Sequence, residues 1–148
     1  MWWVLFIGKN MEAKCLTVLL VYSHSSDKEL IKKIMVEYGF DVTLVPDKVS
    51  ATEEALQHKF DVMLVDIDLG GMEDEGLEVV SQIKQLCIIN KTTPIMGITP
   101  CNESRHNKES KAVCLDGYIN PPFKHTDAND IYSFLIQKHL QDLKRTLL

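Results

Sequence analysis

Four places in the sequence set reactive or ligating side chains just beyond apolar runs: Tyr22-Ser23-His24, Asp66 with Asp68, Thr99, and Asn120-Pro121-Pro122 after Tyr118. A carboxylate such as Asp66 can act as a nucleophile, hold a hard cation or cap a turn. Thr99 brings a hydroxyl that donates or accepts at a strand end. His24 is the residue among them whose charge changes near neutral pH. Residues 22–26 contain no glycine, which argues against a loop cradling a nucleotide or flavin phosphate. It leaves open an anion held by those hydroxyls at a helix terminus. Cys15, Cys87, Cys101 and Cys114 form no Cys-x-x-Cys pair and have no histidine at zinc-ligand spacing. They read as reduced thiols of a cytosolic protein, some of them core filler.

The elements that must position these residues follow from hydrophobic period. Residues 16–22, Leu-Thr-Val-Leu-Leu-Val-Tyr, form a continuous apolar run, as expected of a strand covered on both faces. Residues 26–38 carry Leu30, Ile31, Ile34, Met35 and Tyr38 on one helical stripe, with Ser26 or Asp27 as cap and Gly39 as stop. A second strand spans 40–45 and ends at Pro46. Ser50-Ala51-Thr52-Glu53 matches a capping box opening a helix to about residue 59. A third strand spans 61–66, and a third helix carries Leu77, Val80 and Ile83 after an acidic, glycine-containing loop. Strand four covers 94–98, a weak helix 104–114, and strand five 117–119. The last helix is capped by Thr126 or Asp127 and carries Ile131, Phe134, Leu135 and Leu143. Five strands alternating with five helices through right-handed crossovers give a three-layer α/β sandwich, strand order 2-1-3-4-5. Ligands in such sheets bind beyond the carboxyl ends of the strands, where the four places above fall.

At 148 residues the chain is one domain, with enough buried surface to fold without staples. Its 16 Lys+Arg against 21 Asp+Glu give a net charge of −5, which argues against a nucleic-acid partner. The opening Met1-Trp2-Trp3-Val4-Leu5-Phe6-Ile7 is too short to span a bilayer and lacks the flanks of a signal peptide, so no membrane association is expected. Residues 1–10 read as a frayed extension, an extra edge strand or a start-site artefact. The triplets at Asn90 and Asn102 match glycosylation acceptors but carry no meaning without secretion.

Over about residues 15–145 the chain resembles the receiver domain of two-component response regulators, and residues 1–14 stand outside the resemblance as an N-terminal extension. Asp61-Val62-Met63-Leu64-Val65-Asp66 is similar to the family's third strand and phospho-accepting aspartate, which falls on Asp66. Gly76-Leu77-Glu78-Val79 is similar to the opening of its third helix. Pro94-Ile95-Met96-Gly97-Ile98-Thr99 ends in its switch hydroxyl, Thr99. Gly117-Tyr118-Ile119-Asn120-Pro121-Pro122-Phe123 stands where it has an aromatic switch residue (here Tyr118), a lysine, a proline and a phenylalanine. The resemblance implies a flavodoxin-like (βα)5 doubly wound parallel sheet.

The departures fall on the chemistry. The family's acidic pair after strand one, which helps hold magnesium, is Tyr22 and Ser23 here, and its lysine is Pro121. Between Asp66 and Gly76 the loop is about two residues longer than the family's. Gly70 or Gly71 replaces its proline, so a looser loop is expected. A cis Pro121–Pro122 bond would keep the path of the last loop while deleting the ammonium. Asp66 is left as a weak magnesium ligand, with Asp68 offering little beyond its backbone carbonyl, and His24 or Lys124 is a substitute cation. The Glu73-Asp74-Glu75 run reads as a solvated loop at a helix start. The expectation is therefore a non-enzymatic, cytoplasmic, receiver-like module with a degenerate phosphorylation site and no firm cofactor. Its partner would be a signalling protein, a histidine kinase or phosphotransfer protein among the candidates, or a second copy. Contact would run through the fourth helix, fifth strand and fifth helix, with Tyr118, Phe123 and Ile131 exposed. The alternative is a working phospho-acceptor at Asp66, relayed through Thr99 and Tyr118.

Overall fold

The computed structural model describes residues 15–24, 27–100 and 115–147. The extension, Ser26, Cys101, Asn102, Cys114 and the expected helix over 104–114 lie outside the described residues. The elements run β1 (Leu16–Val21), α1 (Lys28–Glu37), β2 (Phe40–Val45), α2 (Lys48–Gln57), β3 (Val62–Asp66), α3 (Glu75–Leu86), β4 (Ile95–Ile98), β5 (Gly117–Ile119) and a C-terminal helix (His125–Leu147). Single 3-10 turns at Leu69–Gly71 and Ile88–Asn90 flank α3. All strand pairs are parallel, in the order β2-β1-β3-β4-β5.

The continuous apolar run of β1 is divided by the strand's two-residue period between two cores. Val18 and Leu20 join Ile31, Ile34, Met35, Ile131 and Leu135 under α1 and the C-terminal helix. Leu19 and Val21 join Ala51, Ala55, Val79, Val80 and Ile83 under α2 and α3. Every residue of β3 is buried, so both faces contribute about 1.5–3 kcal/mol for each large apolar side chain removed from water. This double cover holds the strand ends, and the site on them, in a fixed frame.

Several local expectations are corrected. Asp47, not Ser50, caps α2: its carboxylate accepts from the Ser50 N–H at 2.9 Å, and the helix starts two residues before Ser50. The C-terminal helix starts at His125, which places Thr126 and Asp127 in its first turn. Asp127 instead reaches back to accept from the Lys124 N–H at 2.8 Å. Gly39 does stop α1, at φ 90°. Phe123 and Ile131 are 6% and 4% exposed and belong to the core, whereas Phe134, one helical turn on, is 39% exposed. Asn90 is fully buried; its amide donates to the carbonyls of Ala55 and His58 while its oxygen accepts from Phe60 N–H and Thr93 Oγ1. A glycan cannot reach it in the folded chain.

Candidate functional site

β1, β3 and β4 deliver their last residues to one edge of the sheet, and Asp66 closes β3 opposite Ile98. Its side chain is buried, with Oδ1 accepting from the Asp68 N–H at 3.1 Å. Oδ2 has no hydrogen-bond partner among the described residues, and the exposed His24 faces it with Nε2 at 3.8 Å. Burial pushes the Asp66 carboxyl above its ordinary pKa, against the opposing pull of the Asp68 N–H and of His24. Thr99 is also buried. Its N–H donates to the Ile119 carbonyl at 3.1 Å, and its Oγ1 has no partner among the described residues. Tyr118 is half-buried on β5, paired in register with Gly97.

Tyr22 and Ser23 are bound into the structure rather than turned to a cation. The Tyr22 ring is buried and packs edge-on against His24 at 5.7 Å. Burial first, then the charges of Asp27 and Asp66 and a hydrogen bond with Asp27, push its phenol up to about 12. It stays neutral at any physiological pH. Ser23 Oγ accepts from the Gly70 N–H at 2.8 Å, tying the loop after β1 to the loop after β3. Asp68 Oδ1 accepts from the Asp74 N–H at 3.1 Å, and its carbonyl accepts from Gly71 N–H at 2.9 Å. Gly70 and Gly71, both at positive φ, form a turn tied to Ser23 and Asp68. Gly76 completes the arrangement, since a Cβ there would overlap the Asp66 carbonyl oxygen.

Of the other sequence candidates, Lys124 turns away: its ammonium lies 3.4 Å from the Pro122 carbonyl and 3.7 Å from Asp127. Pro121–Pro122 is cis. In the acidic run, Glu75 pairs with Lys48 at 3.7 Å, and Asp74 takes a left-handed conformation ahead of α3. Among the described residues no group of three His, Cys, Asp or Glu side chains is placed to hold a metal ion. The Asp66 surroundings fit magnesium poorly, because the ion prefers oxygen ligands in near-octahedral array, whereas Ser23 Oγ, Asp68 Oδ1 and the Asp68 carbonyl already accept from loop amides. Sequence reasoning missed Asp27 as the partner of Tyr22; a tyrosine closing a buried strand, needing somewhere to send its hydroxyl, was the available signal.

A family model described as the response regulator receiver domain matches residues 18–132. The chain belongs to the response regulator receiver domain family. The sensor histidine kinase AruS of Pseudomonas aeruginosa is 30% identical to this receiver domain over 110 residues, 74% of this chain and 11% of that protein. The response regulator ArlR of Staphylococcus saprophyticus is 29% identical over 106 residues, 72% of this chain and 46% of that protein. The chain thus spans less than half the length of either relative. Among solved structures, the receiver domain of a sensor histidine kinase from Pseudomonas aeruginosa, with magnesium coordinated in its active-site cleft, superposes with a TM-score of 0.73 at 22% identity, covering 84% of this chain and 99% of that one. The chemotaxis response regulator CheY4 of Vibrio cholerae gives 0.72 at 24% identity, covering 82% and 99%. The fold is the flavodoxin-like architecture of receivers, a parallel five-stranded sheet in the order 2-1-3-4-5 flanked by helices.

Proposed function

We propose that this receiver domain carries a degenerate phosphorylation site and serves two-component signalling as a phosphate-independent interaction or regulatory module, with no catalysis of its own. The carrying observation is the occupation of the two positions after β1: Tyr22 is a buried neutral phenol, and Ser23 is spent on the Gly70 amide. Phosphoryl transfer depends on neutralising charge over the transferred oxygens. Losing one preorganised stabiliser costs on the order of 10²–10³ in rate; here the acidic pair and, at Pro121, the ammonium are both replaced. Among the described residues, the basic side chain beside Asp66 is His24, at 3.8 Å and exposed to solvent.

The contact face in this reading is β5 with the C-terminal helix, where half-buried Tyr118 and exposed Phe134 border a cleft of about 200 Å³. Its partner is a signalling protein of the cytoplasm, a histidine kinase or phosphotransfer protein being the first candidates, or a second copy of the chain. One observation favours the alternative, a working acceptor: Asp66 Oδ2 and Thr99 Oγ1 are both buried without partners among the described residues, as groups awaiting a ligand are.

Amide NMR with magnesium and beryllofluoride separates the two. The degenerate reading expects no saturable shift at Asp66, Ile67 and Thr99. Saturable shifts centred there, carried through to Tyr118, would establish the acceptor instead.

A further inference from the structure

We propose that the end of the sheet opposite Asp66 carries a second binding site, a pocket for a small organic anion whose carboxylate or phosphate is attached to an apolar body. This inference is independent of how the Asp66 site works. Where β1, β3 and β4 begin, a cavity of about 450 Å³ opens between the sheet and the C-terminal helix, a size suited to small-molecule ligands. Its floor is apolar, from Leu16, Phe60 and Leu135, and its rim carries Lys59, Lys138 and Arg145.

The rim is where charge accumulates against the trend of a chain whose net charge is −5. Three ammonium groups converge on residues 91–93. Lys59 Nζ donates to Thr93 Oγ1 at 3.1 Å and Lys138 Nζ to the Thr92 carbonyl at 3.3 Å. Lys84 Nζ donates to the carbonyls of Lys91 and Thr93 at 2.9 and 3.1 Å. Each ammonium has three donors, so Lys59 and Lys138, which line the cavity, keep N–H groups to offer. Lys59, Lys138 and Arg145 form no ion pair among the described residues. Two carboxylates also line the cavity. Asp61 Oδ2 accepts from the Thr17 N–H and hydroxyl, at 2.7 and 3.1 Å, which holds that carboxylate against β1, and Asp61 and Asp142 together offset part of the charge of the three cations. Like charges held together repel one another, and an anion seated among them removes that cost while forming charge-assisted hydrogen bonds. His139, also on the lining, adds a further donor.

The test is an amide NMR titration of the full chain with phenyl phosphate and, separately, benzoate, against sodium chloride at matched ionic strength. The expected result is saturable shifts at Phe60, Thr93 and Leu135 with Asp66 and Thr99 unmoved; whichever probe binds tighter identifies the acidic group preferred. The double variant Lys59→Gln/Lys138→Gln, checked for native fold by circular dichroism, is expected to bind about tenfold or more weakly, as loss of charge-assisted bonds implies. Lys33→Gln on the exposed side of α1 serves as the control and is expected to bind like the parent. Shifts that chloride reproduces, no saturation with either probe, or unchanged affinity in the folded double variant would each overturn the proposal.

Discussion

Asp66 keeps a carboxylate in a place that penalises its charge, because Oδ2 is buried without a hydrogen-bond partner among the described residues and the facing His24 is largely in water. A folded-state pKa raised by burial means that this group's stabilising contribution is present at low pH and lost as pH rises through the raised value. Near neutral pH the ionised side chain therefore lowers stability. Asp66→Asn is expected to stabilise the domain by about 1–3 kcal/mol at pH 7. In denaturant melts the gain should vanish below the ordinary carboxylate value of 3.8; an Asn variant less stable at pH 7 would contradict this account. Tyr22 gives the same sign at the alkaline end. Its neutral phenol contributes stability that declines as pH rises from 10.0 toward about 12. Tyr22→Phe should flatten the fall in stability across that window, read from denaturation midpoints at successive pH values.

At the scale of elements, the sheet was legible because β1 and β3 are apolar without interruption, a pattern that a strand covered on both sides requires. Helix ends were less so. Asp47 and Ser50 are both competent caps at a spacing that permits either start, and it is Asp47 that takes the extended cap conformation and accepts from the Ser50 N–H. The exposure of Ile131 was misread because a helical stripe does not say which way it faces; Ala128, Ile131 and Leu135 together face the sheet, and Phe123, in the loop before the helix, is buried in the same core. The strand-end position of the site residues was legible. Ser23's role was not, because its partner Gly70 is 47 positions away and no local pattern encodes that contact. Asn90 belongs with it: its partners Ala55, His58 and Phe60 are 30 to 35 positions distant. Asn90→Ala leaves several buried backbone groups unsatisfied and is expected to cost at least about 2 kcal/mol, measured by equilibrium unfolding. A loss within a few tenths of a kcal/mol would show that water replaces the side chain.

For the whole molecule, a ligand at free concentration L that binds only the folded state stabilises it by RT ln(1 + L/Kd) and so raises its melting temperature. Magnesium at about 10 mM should therefore shift the melting temperature by no more than about 1 °C. The combined variant Tyr22→Asp, Ser23→Asp and Pro121→Lys should acquire a magnesium-dependent rise together with a beryllofluoride response, even if its metal-free form is less stable. A magnesium-dependent rise in the unmodified chain would point to ligands beyond those considered. The all-parallel pairing also has a kinetic consequence. Val18 lies opposite Val42 on one side and Val62 on the other, so neither neighbour of β1 can be zipped on through a tight hairpin. Each junction must close a long loop with a helix inside it before any strand contact offsets the lost chain entropy. Refolding, followed by stopped-flow fluorescence, should accordingly be slower than that of a helical bundle of equal length.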